Sequence, residues 1–178
     1  MVLPRKQQRP DRFGRARAVA ARDGDGEPIR AADLRAKAIA LLGRREHSRV
    51  EMRGKLVRAG GDAETVETLL DVLEGETLLS DQRFAEGLAR VRGARFGSRR
   101  VAYDLRRTGV GIEGGALVDE LRATDLERAR EVWQRKFGAV PTNAAARAKQ
   151  MRFLLSRGFP TDVIYRVVPR PGSRQDDD

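Results

Sequence analysis

Arginine is the residue type whose number and spacing in this chain could do chemistry. Two groups of basic side chains stand out, the first around residues 95–100 (Arg-Phe-Gly-Ser-Arg-Arg) and the second further along the chain. Guanidinium groups beside a helix N-terminus bind phosphate and carboxylate groups through charge and directed N–H bonds. We therefore predict contacts with an acidic protein surface or with DNA phosphates. The predicted contact residues are Arg92, Arg95, Arg99, Arg100, Arg106 and Arg107 in the first group, and Arg147, Lys149, Arg152 and Arg157 in the second.

A solvated surface with internal ion pairs is the alternative interpretation of the same arginines. Arg100 and Asp104 stand four residues apart, which is the spacing at which opposite charges pair on a helix. One acid near the six arginines of the first group does not neutralise them. We expect most of their positive charge to remain available to a partner.

Catalytic chemistry finds little support in the sequence. The chain has no cysteine and a single histidine, His47. This composition excludes disulfides, thiolate metal sites, cysteine nucleophiles and multi-histidine metal sites. Gly54 and Lys55 lack the upstream glycine and the following Ser or Thr of a phosphate-binding loop. We expect no catalytic residue, no cofactor and no metal ion.

The remaining residues of chemical interest are predicted to have structural roles. His47 directly precedes a helix cap, and a structural or solvent-facing role is favoured over a catalytic one. Tyr103 lies among basic residues and is expected at the surface. Four other aromatic residues have helix-core spacing and are predicted to pack rather than to stack on bases. They are Trp133, Phe137, Phe153 and Phe159.

The net charge of the chain is high and unevenly distributed. Lys and Arg number 36 against 26 Asp and Glu in 178 residues, which gives +10 at pH 7. Residues 33–80 have a net charge of −1, whereas residues 81–123 have +3 and residues 124–169 have +5. A polyanion or an acidic groove suits this gradient. Because no long apolar run or secretory signal is present, we expect a cytoplasmic protein.

The two ends of the chain lack the pattern of a folded segment. Residues 1–32 are basic and poor in large apolar side chains, so they are predicted to form a disordered arm, with a second disordered segment at 169–178.

From residue 33 onward the apolar residues recur at helical spacing, and no alternating β pattern appears. Ser48 and Glu51 form a reciprocal capping-box pattern before a helix with Leu56 and Val57 on its apolar face. Asp62 is predicted to cap the next helix.

A repeat of 49 residues organises the rest of the chain. Each copy has a leucine followed four residues later by a glycine, the pattern of a helix that ends at a left-handed glycine. The three pairs are Leu56 and Gly60, Leu105 and Gly109, and Leu154 and Gly158.

We predict an all-α protein of three tandem three-helix repeats, at residues 33–80, 81–123 and 124–168. Tandem units bury their apolar faces against their neighbours, so the body is expected to be elongated and curved. Such a body presents a long basic surface rather than a deep pocket. The repeats need no second copy for stability, which favours a monomer.

Several segments resemble the RecX family, whose members regulate the RecA recombinase. The individual motifs are short, but their order and spacing across residues 33–168 resemble the family closely. The matching segments are 45–56 (REHSRVEMRGKL), 81–85 (DQRFA), 97–101 (GSRRV), 105–109 (LRRTG) and 153–159 (FLLSRGF).

The resemblance implies a regulatory protein that is not an enzyme. RecX proteins bind the RecA–DNA filament like a wedge in its helical groove, and they inhibit ATP hydrolysis, strand exchange and co-protease activity. The resemblance thus implies an effect on recombination, DNA repair and the SOS response. A second hypothesis is a basic helical protein that binds nucleic acid directly, without RecA. An enzyme is the third and least favoured.

Overall fold

The computed structural model describes residues 29–110 and 115–172, and within these ranges the chain is helical with no strand. The all-α prediction is confirmed. The predicted disordered segments 1–32 and 169–178 lie mostly outside the described residues. The helices are α1 Ala31–Leu42, α2 Arg49–Arg58, α3 Ala63–Gly75, α4 Asp81–Gly93, α5 Ser98–Arg107, α6 Ala116–Ala123, α7 Asp125–Lys136, α8 Ala144–Ser156 and α9 Thr161–Val167.

The first helix begins at Ala31, two residues before the predicted start of the first repeat at residue 33. Arg30 has extended backbone angles and precedes the helix, and its Nε lies 3.3 Å from the Asp33 carboxylate. An acidic residue in the first turn stabilises a helix N-terminus. Ala31 and Ala32 therefore belong to α1, and the placement of residues 31–32 in the arm was wrong.

Side-chain caps start several of the helices. Ser48 accepts a hydrogen bond from the Glu51 N–H (3.1 Å), and Asp62 accepts one from the Thr65 N–H (2.9 Å), so both predicted caps are confirmed. The Glu51 carboxylate accepts a hydrogen bond from Arg45 (2.9 Å) rather than completing the predicted capping box. Further side-chain caps come from Ser80 and Asn143.

Each three-helix unit has its own hydrophobic core. Helices α1–α3, α4–α6 and α7–α9 pack within their units, and α6 also contacts α7. Val57, predicted to lie on the apolar face of α2, is 41% exposed, because its position is rotated away from buried Leu56. The three cores include Leu34, Met52, Leu56, Leu70 and Leu73; Phe84, Val101, Leu105 and Leu121; and Trp133, Leu154, Phe159 and Ile164.

The four aromatic residues predicted to pack do so in the third unit. Trp133 and Phe159 are buried, and the Trp133 Nε1–H donates to the Gln150 Oε1 at 2.8 Å. Phe137 and Phe153 meet edge to face, with ring centroids 5.3 Å apart, at the margin of the same core. These contacts confirm the packing prediction.

His47 is buried in the first unit rather than facing solvent. Its Nδ1 lies 2.9 Å from the Arg45 carbonyl oxygen, and burial lowers the pKa of its imidazole. Of the two roles predicted for His47, the structural one fits this position.

Neighbouring units are joined by the same contact, repeated after 49 residues. The turns after α2, α5 and α8 contain Gly60, Gly109 and Gly158, whose φ angles are +99°, +77° and +82°. The Ser48 hydroxyl before α2 donates to the Thr108 carbonyl (2.7 Å) in the turn after α5. At the equivalent place, the Gly97 N–H before α5 donates to the Arg157 carbonyl (3.0 Å) in the turn after α8. The second helices of the three units therefore meet end to start.

The junction between the second and third units brings backbone against backbone. A Cβ on Gly97 would lie 2.5 Å from the Gly158 carbonyl oxygen and from the backbone of Phe159. Real Cβ atoms do not approach other atoms so closely, and a backbone has no rotamer with which to move aside. Gly97 is therefore required by close approach, although its own φ of −74° suits any residue.

Gly97→Ala is expected to lower the free energy of unfolding by about 2 kcal/mol or more, as overpacking does. Gly87 is the matched control, because it lies within α4 and a Cβ there would meet nothing within 4 Å. Gly87→Ala is expected to raise stability by about 0.5–1 kcal/mol through helix propensity. Urea unfolding followed by helical circular dichroism and by Trp133 fluorescence measures both changes. Equal effects of the two substitutions would contradict the backbone contact.

Candidate partner-binding surface

The exposed face of α5 consists of basic residues and one tyrosine. The helix buries Val101, Ala102 and Leu105 against the core of the second unit. The opposite face is exposed, as expected of a strongly amphipathic helix. It presents Arg99, Arg100, Tyr103, Arg106 and Arg107, four of which are predicted contact residues.

The equivalent faces of α2 and α8 extend this surface. Val57, Arg106 and Leu155 occupy the same position in successive repeats, and all three are exposed. The repeated junction places the three second helices in series. We call the exposed residues of α2, α5 and α8 the second-helix surface. Its predicted contact residues in α8 are Lys149 and Arg152, both exposed.

Ion pairs leave most of the α5 arginines unneutralised. The predicted pair is confirmed, with the Arg100 Nε 3.3 Å from the nearly buried Asp104 carboxylate. The Arg92 Nε lies 3.4 Å from the other oxygen of the same carboxylate. Arg99 and Arg106 have no ion pair or hydrogen bond through their side chains among the described residues. One acid thus faces two arginines, and the surface remains positive.

Tyr103 lies at the surface, as predicted, and is 48% exposed. The Arg100 guanidinium lies 5.8 Å from its ring centroid and that of Arg107 lies at 6.0 Å. A cation over an aromatic face is attracted by the ring quadrupole. These contacts hold two guanidinium groups beside an exposed ring.

Carboxylates of α3 neutralise two arginines of α2. Arg49 at the start of α2 lies within 2.8 Å of Glu67, 2.7 Å of Asp71 and 2.5 Å of Glu74, all on α3. The hydrogen bond that Arg49 donates to Glu67 is the main cause of the raised pKa of Arg49. Arg53 also pairs with Glu67. Lys55 and Arg58 of the same helix have no ion pair among the described residues, so the second-helix surface keeps positive charge in all three units.

Two members of the second predicted group have structural contacts. Arg147 is half-buried; it donates to the Pro169 carbonyl (3.1 Å) and lies 5.8 Å from the Tyr165 ring. Arg147 therefore holds the chain after α9. Arg157 donates to the Arg95 carbonyl (3.1 Å), and its guanidinium lies 5.5 Å from the Phe96 ring.

The junction of the second and third units gathers four of the predicted arginines. Phe96 is the centre of this cluster, since the guanidinium groups of Arg92, Arg100 and Arg157 lie 5.4, 6.0 and 5.5 Å from its ring. Arg95 is exposed on the turn between α4 and α5. The structure thus joins residues that the sequence placed in two separate groups.

A buried ionic network that sequence analysis missed fixes this junction. The fully buried Asp125 carboxylate accepts hydrogen bonds from the Ser98 N–H (3.0 Å) and hydroxyl (2.5 Å) and from Arg128 (2.6 Å). Arg128 also donates to the carbonyls of Gly93 (2.9 Å) and Phe96 (2.7 Å). Burial lowers the pKa of Arg128, and Asp125 opposes that shift. The i, i+3 spacing of Asp125 and Arg128 was the one feature of the sequence that could have indicated this ion pair.

Two other kinds of feature are absent from the described ranges. No cluster of three or more acidic or histidine side chains there is arranged to hold a metal ion. None of the helices in these ranges combines the length and the hydropathy of a membrane span.

These observations define a class: a tandem helical-repeat protein with a basic contact surface. Family models agree with this class and with its repeat structure. Residues 35–73 match the RecX first three-helix domain, and residues 123–168 match the RecX third three-helix domain.

Related sequences and structures identify the family. The Regulatory protein RecX of Ralstonia pickettii (strain 12J) is 42% identical over 79% of this chain and 89% of its own length. That of Herbaspirillum seropedicae is 46% identical over 71% and 82%. The crystal structure of RecX from Lactobacillus salivarius has the same fold, with a TM-score of 0.64 at 16% identity over 77% of this chain and 93% of the other. The chain belongs to the RecX family of regulatory proteins.

Removing the buried carboxylate of Asp125 is expected to destabilise the protein strongly. Asp125→Ala leaves the largely buried Arg128, whose side chain is 16% exposed, without its counter-ion, which costs about 3–5 kcal/mol. Ser98→Ala removes one neutral donor from the same carboxylate and is expected to cost about 1 kcal/mol. Urea unfolding followed by Trp133 fluorescence and circular dichroism compares the two. A loss for Asp125→Ala no larger than that for Ser98→Ala would show that the network is unimportant.

Proposed function

We propose that this protein binds the filament that the RecA recombinase forms on DNA and restrains its activity. It acts in the cytoplasm as a binding protein without catalysing a reaction. Lying like a wedge in the filament groove, it lowers ATP hydrolysis, strand exchange and co-protease activity. It thereby modulates recombination, DNA repair and the SOS response. Membership of the RecX family supports this proposal.

The observation that carries the proposal is the second-helix surface. Arg99 and Arg106 present guanidinium groups to solvent without a counter-ion among the described residues, and Lys149 and Arg152 continue the positive surface in the third unit. Such an array attracts acidic protein surfaces and accelerates association with them. Its extension over two units also suits a partner made of repeated subunits.

Avidity explains how such a surface could bind firmly. Each unit has its own core, so contacts made by different units lie on one connected scaffold. When one unit is bound, the next binds at a high effective concentration and strengthens the whole complex. The arginines of the second and third units then contact acidic RecA surface on adjacent protomers, together with DNA phosphates. This binding disturbs the ATP-bound protomer interface or blocks the entry of duplex DNA.

The direct test is RecA ATP hydrolysis on single-stranded DNA with the protein titrated in. A DNA-binding control without RecA is run at the same salt concentration, because phosphate contacts weaken steeply with salt. Inhibition well below the amount that coats the DNA supports a filament regulator. Inhibition that follows DNA coating indicates instead a basic protein that binds nucleic acid without RecA.

Arg99→Glu combined with Arg106→Glu is expected to raise the concentration for half-inhibition of RecA about tenfold or more, the usual size of a contact hot spot. These residues are preferred to Arg100, because Arg100 pairs with Asp104 and contacts Gly158. The charge-matched control is Arg44→Glu with Arg130→Glu, both exposed and outside the second-helix surface. Equal inhibition by the two double variants, with helical content unchanged, would refute the assignment of the surface.

A further inference from the structure

A groove with a basic lining lies where the second and third units meet. Its volume is about 180 Å³, and four cationic side chains line it without any carboxylate. They come from three places in the fold: the α4–α5 turn, the last turn of α7 and the end of α8. The four are Arg95, Arg135, Lys136 and Arg157. Sequence analysis singled out Arg95 and Arg157 but not the other two.

Arg157 is held in a fixed orientation at this groove. Its Nη1 donates to the Arg95 carbonyl oxygen (3.1 Å), and its guanidinium lies 4.7 Å from the Phe153 ring centroid and 5.5 Å from that of Phe96. A guanidinium ordered in this way loses little freedom when it binds an anion. Val132 and Phe153 supply the apolar part of the groove wall.

The charges at the groove have little internal compensation. The acid paired with Arg135 is Glu131, at 3.8 Å, and both side chains are about two-thirds exposed (66% and 70%). Such exposed pairs are weak. The side chains of Arg95 and Lys136 have no ion pair or hydrogen bond among the described residues. Four cationic residues thus line one small groove, and an anion bound there would offset their charge.

The dipole of α7 explains only part of this arrangement. Cations are favoured in the last turn of a helix, which accounts for Arg135 and Lys136 taken alone. Arg95 and Arg157 belong to other elements, so the dipole of α7 does not explain why they line this groove. Convergence from three elements is what an anion site requires.

We propose that this groove is a phosphate-binding site, made by Arg95, Arg135, Lys136 and Arg157. Phosphate oxygens accept several N–H bonds at once, and guanidinium groups match them in pairs. A groove of about 180 Å³ is smaller than the usual pocket for a drug-sized ligand, so it takes phosphate groups rather than a whole nucleotide. The phosphates belong either to a nucleic-acid backbone or to a short free oligophosphate. The site deepens the proposed function and rests on it where DNA phosphates are concerned: it adds Arg135 and Lys136 to the phosphate contacts, and phosphate binding here needs no RecA.

The test uses the full-length protein and two probes in the absence of RecA. Inorganic tripolyphosphate is titrated by calorimetry, and a fluorescein-labelled oligothymidylate is titrated by fluorescence anisotropy over a range of salt concentrations. The variant is Arg135→Gln with Lys136→Gln, whose neutral side chains avoid placing acids at a helix C-terminus. The matched control is Lys37→Gln with Arg44→Gln, an exposed pair in the first unit with the same change of charge. Circular dichroism checks that both fold.

The groove variant is expected to bind at least one of the two probes about fivefold or more weakly than the control variant does. A probe whose binding is weakened in this way is said to respond. If the oligothymidylate responds, the salt dependence of its binding also falls by about one to two contacts. A response to the oligothymidylate alone identifies the backbone as the source, and a response to tripolyphosphate alone identifies a free oligophosphate. A response to both supports a site that accepts either.

The proposal is overturned if the groove variant and the control variant bind both probes equally, or if the wild-type protein binds neither. RecA inhibition by the same variants is measured in parallel. Loss of phosphate binding with inhibition retained separates this site from the proposed function, and the failure of one does not imply the failure of the other.

Discussion

The contact between a glycine turn and the start of a preceding second helix is the constraint on which this architecture depends. Each unit buries its own apolar residues, so no shared core joins the units within the described ranges. The buried Asp125–Arg128 network reinforces the contact between the second and third units. At Gly97 the approach is so close that only a hydrogen fits between the two backbones. The hydrogen bond from Gly97 to Arg157 then fixes the register of the third unit on the second.

The placement of charge follows from this architecture. Because α2 and α3 pack in one unit, Arg49 lies close to the carboxylates of α3. These carboxylates form ion pairs with Arg49 and compensate its charge. The acidic residue of α5 is Asp104, which is nearly buried and forms ion pairs with Arg92 and Arg100. The other arginines of α5 have no ion pair among the described residues. Equivalent helices of the repeat thus differ in their ion pairs, and α5 keeps more unpaired arginines than α2.

Local patterns in the sequence predicted local structure well. Ser48 and Asp62 cap their helices, and Gly60, Gly109 and Gly158 adopt positive φ, because each of these features depends on a few consecutive residues. The Arg100–Asp104 pair could be predicted for the same reason.

Contacts between distant residues limited the rest of the prediction. Asp125 meets Ser98 across 27 residues, and Arg157 meets Arg95 across 62, so helical spacing gives no sign of either contact. Arg147 belonged to the predicted site by its charge, yet its contacts with the chain after α9 give it a structural role. Arg135 and Lys136 were overlooked, because their neighbours in the groove come from other helices. The tertiary structure therefore determines which arginines remain available to a partner.

The end-to-start order of the second helices gives the molecule a direction. In each junction a C-terminal turn meets the N-terminus of the helix before it, so α8, α5 and α2 follow one another in the same sense. The charge changes along this line from +5 in residues 124–169 to −1 in residues 33–80. A body with a distinct head and tail does not look the same after being reversed. On any polymer whose subunits all point one way, its two possible orientations therefore differ in energy.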